Sequence, residues 1–143
     1  PQTVTAQYIN QRQWLGLVGA PVILVNGNHE QASMANLNGT ADNVAVWAQN
    51  ARNAYYPQPA PDSFYTGDAE PVEFIGQLRD YYASTWGDAL FVVIDPYWHS
   101  PQTVDNQFGA DRNSKGNRDL WNNTLGDVQY QWFRQTLETS TAK

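Results

Sequence analysis

Continuous and periodic runs of apolar residues predict the first elements of the chain. Residues 3–18 carry apolar side chains near helical spacing, with polar residues between them, which predicts an amphipathic helix. Gly19 and Pro21 follow, as expected where a helix ends. Residues 22–25, the first apolar run, are uninterrupted and aliphatic, a pattern typical of a short strand buried on both faces. The first 25 residues therefore predict a helix, a short loop and a buried strand.

A second helix is predicted from Thr40, which is a suitable N-cap residue. Its predicted apolar face consists of Val44, Trp47, Ala48, Ala51 and Tyr55. Three prolines between residues 57 and 61 would end this helix and form an extended connection. The spacing thus predicts a helix packed on the protein core through small and aromatic side chains.

The second half of the chain predicts a hairpin and a last helix. Residues 81–86 and 89–95 are strand-like and are separated by Gly87-Asp88, a two-residue connection of turn formers. Residues 90–94, the second apolar run, predict an interior strand. A helix is predicted over residues 127–139, with an apolar face of Val128, Trp132, Phe133 and Leu137.

Composition excludes several classes of function. The chain has 143 residues, of which 41% are hydrophobic, so it can bury a core of ordinary domain size. Its formal net charge of −6 and the lack of a basic stripe argue against a nucleic-acid surface and against binding to anionic lipid. No stretch approaches the ~20 apolar residues of a membrane span. The absence of cysteine excludes disulfides, thiol nucleophiles and thiolate metal sites.

The candidate chemistry lies directly after the first apolar run, in Gly27-Asn28-His29-Glu30, which we call the 27–30 turn. Residues beyond the carboxyl end of a buried strand are where α/β proteins usually place their sites. Asn28 offers a neutral oxygen, His29 a group that titrates near physiological pH, and Glu30 a carboxylate. The alternative is a purely structural turn, in which Gly27 and Asn28 are used because both tolerate left-handed backbone.

Three other features carry weaker signals. Trp98 and His99 follow a predicted strand end and could line a substrate cleft, although a surface-loop position is the preferred explanation of His99. Asp95 is explained as a cap of the turn before Pro96. Gly67-Asp68-Ala69-Glu70 is interpreted as a turn.

Three segments together resemble the central part of the calcineurin-like metallophosphoesterases, the superfamily that includes purple acid phosphatases. They are the 27–30 turn, the hairpin of residues 81–95, and residues 125–133, which open the last helix. The resemblance extends over about the whole chain. It implies an α/β fold that forms part of a four-layer α/β/β/α sandwich, with two metal ions (Mn, Zn or Fe) at the carboxyl ends of strands and a phosphate ester as the substrate.

The resemblance also implies roles for the residues of the 27–30 turn. Asn28 would be a metal ligand through its side-chain oxygen. His29 would contact the phosphate and would either donate a proton to the leaving group or help to hold the charge of the transition state. Gly27 would let the backbone turn closely enough for Asn28 to reach the metal, and Glu30 would fix the turn without ligating the metal.

The chain departs from the family pattern outside these segments. The Asp-x-His and Gly-Asp-x-x-Asp blocks expected before the turn and the Gly-His-x-His block expected after it are missing, and the chain has only two histidines. Residues 1–143 are therefore predicted to be a single partial domain, an internal segment of a phosphoesterase that binds metal weakly or not at all and is inactive alone. Uncovered apolar faces would favour self-association of this segment.

Two alternatives stand beside the phosphoesterase hypothesis. One is a non-catalytic binding module for carbohydrate or protein that uses exposed tryptophan and tyrosine side chains; the chain has six Trp and eight Tyr. The other is a structural remnant in which the Asn-His turn survives only as a turn.

Overall fold

Three α-helices and five short strands form the part of the chain that the computed structural model describes, which is residues 1–27, 30, 34–98 and 125–142. The helices are α1 (Gln2–Leu15), α2 (Val44–Tyr55) and α3 (Gly126–Thr139). The strands are β1 (Thr66–Gly67), β2 (Pro71–Val72), β3 (Gly76–Gln77), β4 (Tyr82–Trp86) and β5 (Ala89–Val93). This mixture of helices and strands agrees with the predicted α/β class. No helix in the described ranges is long and apolar enough to cross a membrane.

The predicted first helix is confirmed. Helix α1 continues into a 3-10 turn, Gly16–Val18, and the chain leaves it at Gly19, whose φ of 67° lies in the left-handed region that favours glycine. Helix α1 lies against α2, where the Tyr8 and Tyr56 rings are 5.9 Å apart and the Tyr56 hydroxyl donates to the Tyr8 carbonyl at 3.2 Å. None of its side chains is fully buried, so α1 covers one side of α2 without entering the core.

Helix α2 begins later than predicted, and its buried face agrees with the predicted one in part. Its N-cap is Asn43, whose Oδ1 accepts from the Ala45 N–H at 2.8 Å, whereas the hydroxyl of Thr40 donates to Asn38. Ala48 and Ala51 are buried as predicted, whereas Val44 is exposed. The other members of the buried face are Ala45, Val46, Gln49 and Arg52. The apolar pattern missed the last two because they are polar and have partners inside the protein.

The predicted hairpin is confirmed, but its second strand is not interior. Strands β4 and β5 are antiparallel, with Trp86 opposite Ala89 across the Gly87-Asp88 turn. Strand β1 pairs with the other edge of β4, so the order is β1-β4-β5 and β5 is an edge strand within the described sheet. Phe91 in β5 is accordingly 58% exposed. A continuous apolar run indicates that its residues tend to be buried. Because β4 is the single neighbour of β5 within the described sheet, the residues of β5 are buried only in part.

The buried strand predicted for the first apolar run is wrong. Residues 21–27 form no strand, and Val22, Ile23 and Val25 are 41%, 60% and 57% exposed. The described sheets consist of β1, β4 and β5 and of β2 and β3, so neither pairs with this run. Without a neighbouring ladder an aliphatic run cannot satisfy its backbone groups as a strand does.

Helix α3 confirms the predicted last helix, although its contact face is again partly polar. Gln129 is fully buried, Trp132 and Phe133 are half-buried, and the predicted face residues Val128 and Leu137 are about half exposed. The Trp132 ring packs on Tyr81 at 4.8 Å between centroids. A separate apolar cluster consists of Leu78 and Trp98 with Leu37, Val72 and Ile75 around them.

Candidate functional site: the 27–30 turn and its buried support

The 27–30 turn is closed by two interactions between its end residues. The Glu30 N–H donates to the Gly27 carbonyl at 3.3 Å, and the Gly27 N–H donates to the Glu30 carboxylate. Asn28 and His29, the predicted metal ligand and proton donor, lie outside the described residues. The described part of the site is therefore a turn whose first and last residues are fixed to each other.

Gly27 does not serve a left-handed backbone. It is not among the glycines with positive φ, so that structural explanation is wrong for this position. A Cβ at residue 27 would lie 2.8 Å from Oε2 of Glu30, so the end of the Glu30 side chain would have to shift. Glycine thus leaves room for the Glu30 carboxylate in the position that closes the turn.

The residue before the turn is anchored inside the protein. Asn26 is 7% exposed, and its Nδ2 donates to Oδ2 of Asp95 at 2.7 Å. Asp95 is fully buried, and its Oδ1 accepts from the backbone N–H groups of Tyr97 at 2.8 Å and Trp98 at 3.2 Å. The predicted capping role of Asp95 is confirmed. The same carboxylate also holds the start of the 27–30 turn beside the end of β5.

Helix α3 binds the same point of the chain through one side chain. The Gln129 Oε1 accepts from the Asp95 N–H at 2.8 Å, and its Nε2 donates to the Asp95 carbonyl at 2.8 Å. Both backbone groups of Asp95 are thereby satisfied by one amide. Its side chain and its backbone fix Asp95 to separate elements, Asn26 and α3.

A buried contact between an arginine and a carboxyl group lies next to Asp95. Arg52 of α2 contacts Oδ1 of Asp80 through its guanidinium, and both side chains are almost fully buried. Gln49 donates to the same carboxylate oxygen at 3.1 Å and to the Leu78 carbonyl at 2.7 Å. Through these bonds, the two polar residues on the buried face of α2, Gln49 and Arg52, have partners inside the protein.

Burial raises the pKa of Asp80 to about 8, against the opposing effect of Arg52 and with the help of nearby Asp95 and Asp68. Asp80 therefore retains its proton over much of the neutral range. The negative charge of nearby Asp95 favours this protonated form, and a neutral Asp80 lets two carboxyl groups lie near each other beside a single arginine.

The described carboxylates are better suited to supporting the turn than to binding a metal. Glu30 is bonded to the Gly27 N–H, Asp95 accepts from three donors, and Asp80 contacts the cationic Arg52. In the described ranges no group of three His, Cys, Asp or Glu side chains could hold a metal ion. Glu30 thus acts in the closing of the turn itself.

Of the two residues predicted to line a substrate loop, the structure describes only Trp98. Trp98 is 1% exposed and packs with Leu78, so its ring lies in the core and the predicted position in a substrate loop is wrong. Its carbonyl accepts from the Met34 N–H at 2.7 Å. His99 lies outside the described residues. Of the turn predicted for residues 67–70, Gly67 lies in β1, and only the part from Asp68 to Glu70 is turn-like, since Asp68 Oδ1 accepts from the Glu70 N–H at 3.0 Å.

Sequence reasoning missed Asn26 and Asp80 as members of the site. Asn26 had a usable signal, because it is the polar residue that ends an apolar run directly before the 27–30 turn. Asp80 had none, since its partner Arg52 is 28 residues away. The chain matches no protein-family model, and neither a curated protein nor a solved structure matches it.

Proposed function

We propose that this chain carries part of the active site of a two-metal phosphoesterase that hydrolyses phosphate mono- or diesters. The observation that supports the proposal best is the closed 27–30 turn, tied through Asn26 to the end of β5. A turn fixed at both ends is the kind of support that a positioned ligand and a positioned acid require. The resemblance of the 27–30, 81–95 and 125–133 segments to the metallophosphoesterases supplies the assignment of the chemistry.

In this proposal each residue of the turn has one task. Asn28 holds a metal ion through its amide oxygen, which adds a ligand without adding negative charge to a site that must accept a phosphate. His29 contacts the phosphate and gives a proton to the leaving-group oxygen. Glu30 fixes the turn through the Gly27 N–H. When bound, two metal ions (Mn, Zn or Fe) would supply a hydroxide nucleophile and neutralise the phosphoryl oxygens.

The proposal assigns the remaining metal ligands to sequence outside residues 1–143, because two histidines are too few for the dinuclear site of the resembled family. It likewise assigns the α/β/β/α sandwich to a larger domain. The exposed first apolar run and the edge of β5, which has no partner strand among the described residues, support this part, since each is a surface that further strands could cover. The same surfaces would promote self-association of residues 1–143 alone.

The test uses the protein with the sequence that flanks residues 1 and 143. Turnover of p-nitrophenyl phosphate and bis(p-nitrophenyl) phosphate is measured with added Mn, Zn or Fe. We expect hydrolysis of at least one ester, with kcat reduced roughly 10²–10⁴-fold in His29→Ala, as is typical for the loss of a general acid, and a comparable loss in Asn28→Ala. Asn10→Ala, an exposed change on α1, is the matched control and should leave kcat unaltered.

The two parts of the proposal fail separately. No turnover of either ester by the longer protein, or wild-type turnover in both variants, would overturn the assigned function. Turnover by residues 1–143 alone, with the same dependence on His29, would contradict only the claim that the site needs further sequence.

A further inference from the structure

A cleft of about 580 Å³ opens between the β4–β5 hairpin, the loop that precedes β1, and the C-terminal half of α3. Its volume is within the range of small-molecule sites, roughly 300–1,000 Å³. Hydroxyl side chains are its commonest lining: Thr66, Ser84, Thr85, Thr136, Thr139, Ser140 and Thr141. The described residues that line it include none of the 27–30 turn, so the cleft is a separate candidate site.

Aromatic rings form part of its wall and are held by contacts with one another. Phe64 and Tyr65 meet edge to face at 4.9 Å, and Tyr65 meets Tyr82 of β4 at 6.1 Å. Trp132 of α3 is fixed by Tyr81 at 4.8 Å and by a bond from its Nε1 to the Thr66 hydroxyl at 3.3 Å. The cleft therefore presents flat apolar surfaces beside hydroxyl groups.

Asp62 positions the aromatic loop. Its Oδ1 accepts from the backbone N–H groups of Phe64 and Tyr65, each at 2.7 Å, and its own N–H donates to the Tyr65 carbonyl at 2.9 Å. These backbone bonds lower the pKa of Asp62, so that its carboxylate is charged at neutral pH. Two ring positions in the wall thus depend on one side chain.

The charge of the lining selects against anions. Asp62 is acidic, and no Lys, Arg or His is found among the described residues that line the cleft. A phosphate or carboxylate ligand would find no cation here and would meet a negative charge. The polar groups that remain, hydroxyls and the Gln135 amide, both donate and accept hydrogen bonds.

The geometry points to a neutral carbohydrate as the ligand of this cleft. A sugar ring has an apolar C–H face, which suits the rings of Phe64, Tyr65 and Trp132, and a rim of hydroxyls, each of which is both a donor and an acceptor. The hydroxyls of Ser84, Thr85, Thr136 and Thr141 and the Gln135 amide match that rim, whereas those of Thr66, Thr139 and Ser140 already bond within the protein. The inference is independent of the proposed phosphoesterase activity, and it assigns to the chain a glycan-binding site.

The test measures binding of cellohexaose, N-acetylchitohexaose and mannohexaose by calorimetry, with hexagalacturonate as the anionic comparison. We expect at least one neutral hexaose to bind with a Kd of about 1 mM or tighter, and hexagalacturonate not to bind. Phe64→Ala should weaken binding roughly tenfold through loss of the stacking surface. Gln135→Ala should weaken it about fivefold through loss of a hydrogen bond.

Two controls are matched to these changes. Phe74 is 46% exposed, as Phe64 is, and does not line the cleft, so Phe74→Ala should leave the Kd unchanged. Gln131→Ala makes the same change as Gln135→Ala one turn earlier on α3. Circular dichroism of every variant checks that the fold is intact.

The proposal is overturned if no neutral hexaose binds at about 10 mM. It is equally overturned if Phe74→Ala weakens binding as much as Phe64→Ala does and Gln131→Ala as much as Gln135→Ala does. Binding of hexagalacturonate or of inorganic phosphate with the same dependence on Phe64 would show that the ligand class is wrong. Preferential capture of a neutral Gly-Ser peptide at the same residues would do so as well.

Discussion

The two apolar runs of this chain, residues 22–25 and 90–94, are almost alike in sequence and differ in structure. Both are continuous runs of aliphatic residues, the second with one phenylalanine. Most of the second run lies in β5, which has β4 beside it across a two-residue turn, whereas the first run forms no strand. The difference is the nearby partner. Apolar continuity reports a tendency to be buried, but a strand also needs a neighbour for its backbone hydrogen bonds.

The two runs nevertheless end at one place. Asn26 follows the first run, Asp95 follows the second, and their side chains are bonded at 2.7 Å. A single carboxylate thereby holds the end of an irregular segment against the end of a strand. Substitutions at this point and at the hairpin turn can distinguish the contacts that hold the first run from those that hold the second.

The largest effect is expected from Asp95→Ala, which removes the anchor of both runs. The Asn26 amide and the N–H groups of Tyr97 and Trp98 would lose a buried acceptor. At about 1–3 kcal/mol for each buried group left unsatisfied, the free energy of unfolding should fall by at least about 3 kcal/mol. Urea unfolding at neutral pH measures the change.

Two variants sharpen this experiment. Asp42→Ala makes the same change at an exposed position and should alter stability by less than about 0.5 kcal/mol. Asn26→Ala breaks only the bond to the first run, so hydrogen exchange should rise in residues 22–27 and stay unchanged in β5. An equal rise in both segments would show that the runs are not held separately.

The stability of the protein is also expected to depend on pH, through the proton that buried Asp80 retains. The pKa of Asp80 is about 8 in the folded protein, above its ordinary value of 3.8, so the folded state binds this proton more tightly than the unfolded state. The resulting stabilisation is complete below about pH 4 and is lost as the pH rises through about 8. The slope should reach at most about 1.4 kcal/mol per pH unit.

Urea unfolding between about pH 5 and pH 8 tests this slope. Asp80→Asn cannot titrate and should flatten it, whereas Glu73→Gln, at an exposed carboxylate, should leave it unchanged. A wild-type stability that rises with pH across this range, or an identical slope in Asp80→Asn, would contradict the raised pKa of Asp80.

A smaller effect is expected from Gly87→Ala, which acts only on the second run. Gly87 has a φ of 61° at the first position of the hairpin turn, where an L side chain is strained. Stability should fall by about 1 kcal/mol. Gly16 has a φ of −62° and open space at its Cβ position, so Gly16→Ala should be neutral or slightly stabilising. Equal losses in both variants would mean that the left-handed backbone at Gly87 is not the cause.

The elements that could be predicted from the sequence depend on neighbours along the chain. Helix α1, helix α3 and the Gly87-Asp88 hairpin rest on local periodicity and turn chemistry, and their predictions are confirmed. The predicted N-cap of α2, Thr40, lies three residues before the observed one, Asn43. Both residue types are good caps, and only the fold decides between them. Local rules allow several starts where suitable residues are close together.

The support of the candidate site could not be predicted, because it is made of polar contacts between distant residues. Asn26 and Asp95 are 69 positions apart, and Arg52 and Asp80 are 28 apart. Periodicity counts apolar side chains, so it assigns Gln49 and Arg52 to a solvated face although both are buried. Within the 27–30 turn, by contrast, the contact between Gly27 and Glu30 is local, and the resemblance to the metallophosphoesterases already implied a role for Glu30 in fixing the turn.

The two bonds from Gln129 to Asp95 have a consequence for how α3 is joined to the sheet. One amide both accepts from the Asp95 N–H and donates to its carbonyl, as a residue of an adjoining strand would. The side chain thus makes the pair of hydrogen bonds that a neighbouring strand would make just past the end of β5. These two bonds fix the rotation of α3 about its own axis. A glutamate in its place could accept but not donate, so the fit depends on the one amide that a glutamine supplies at that reach.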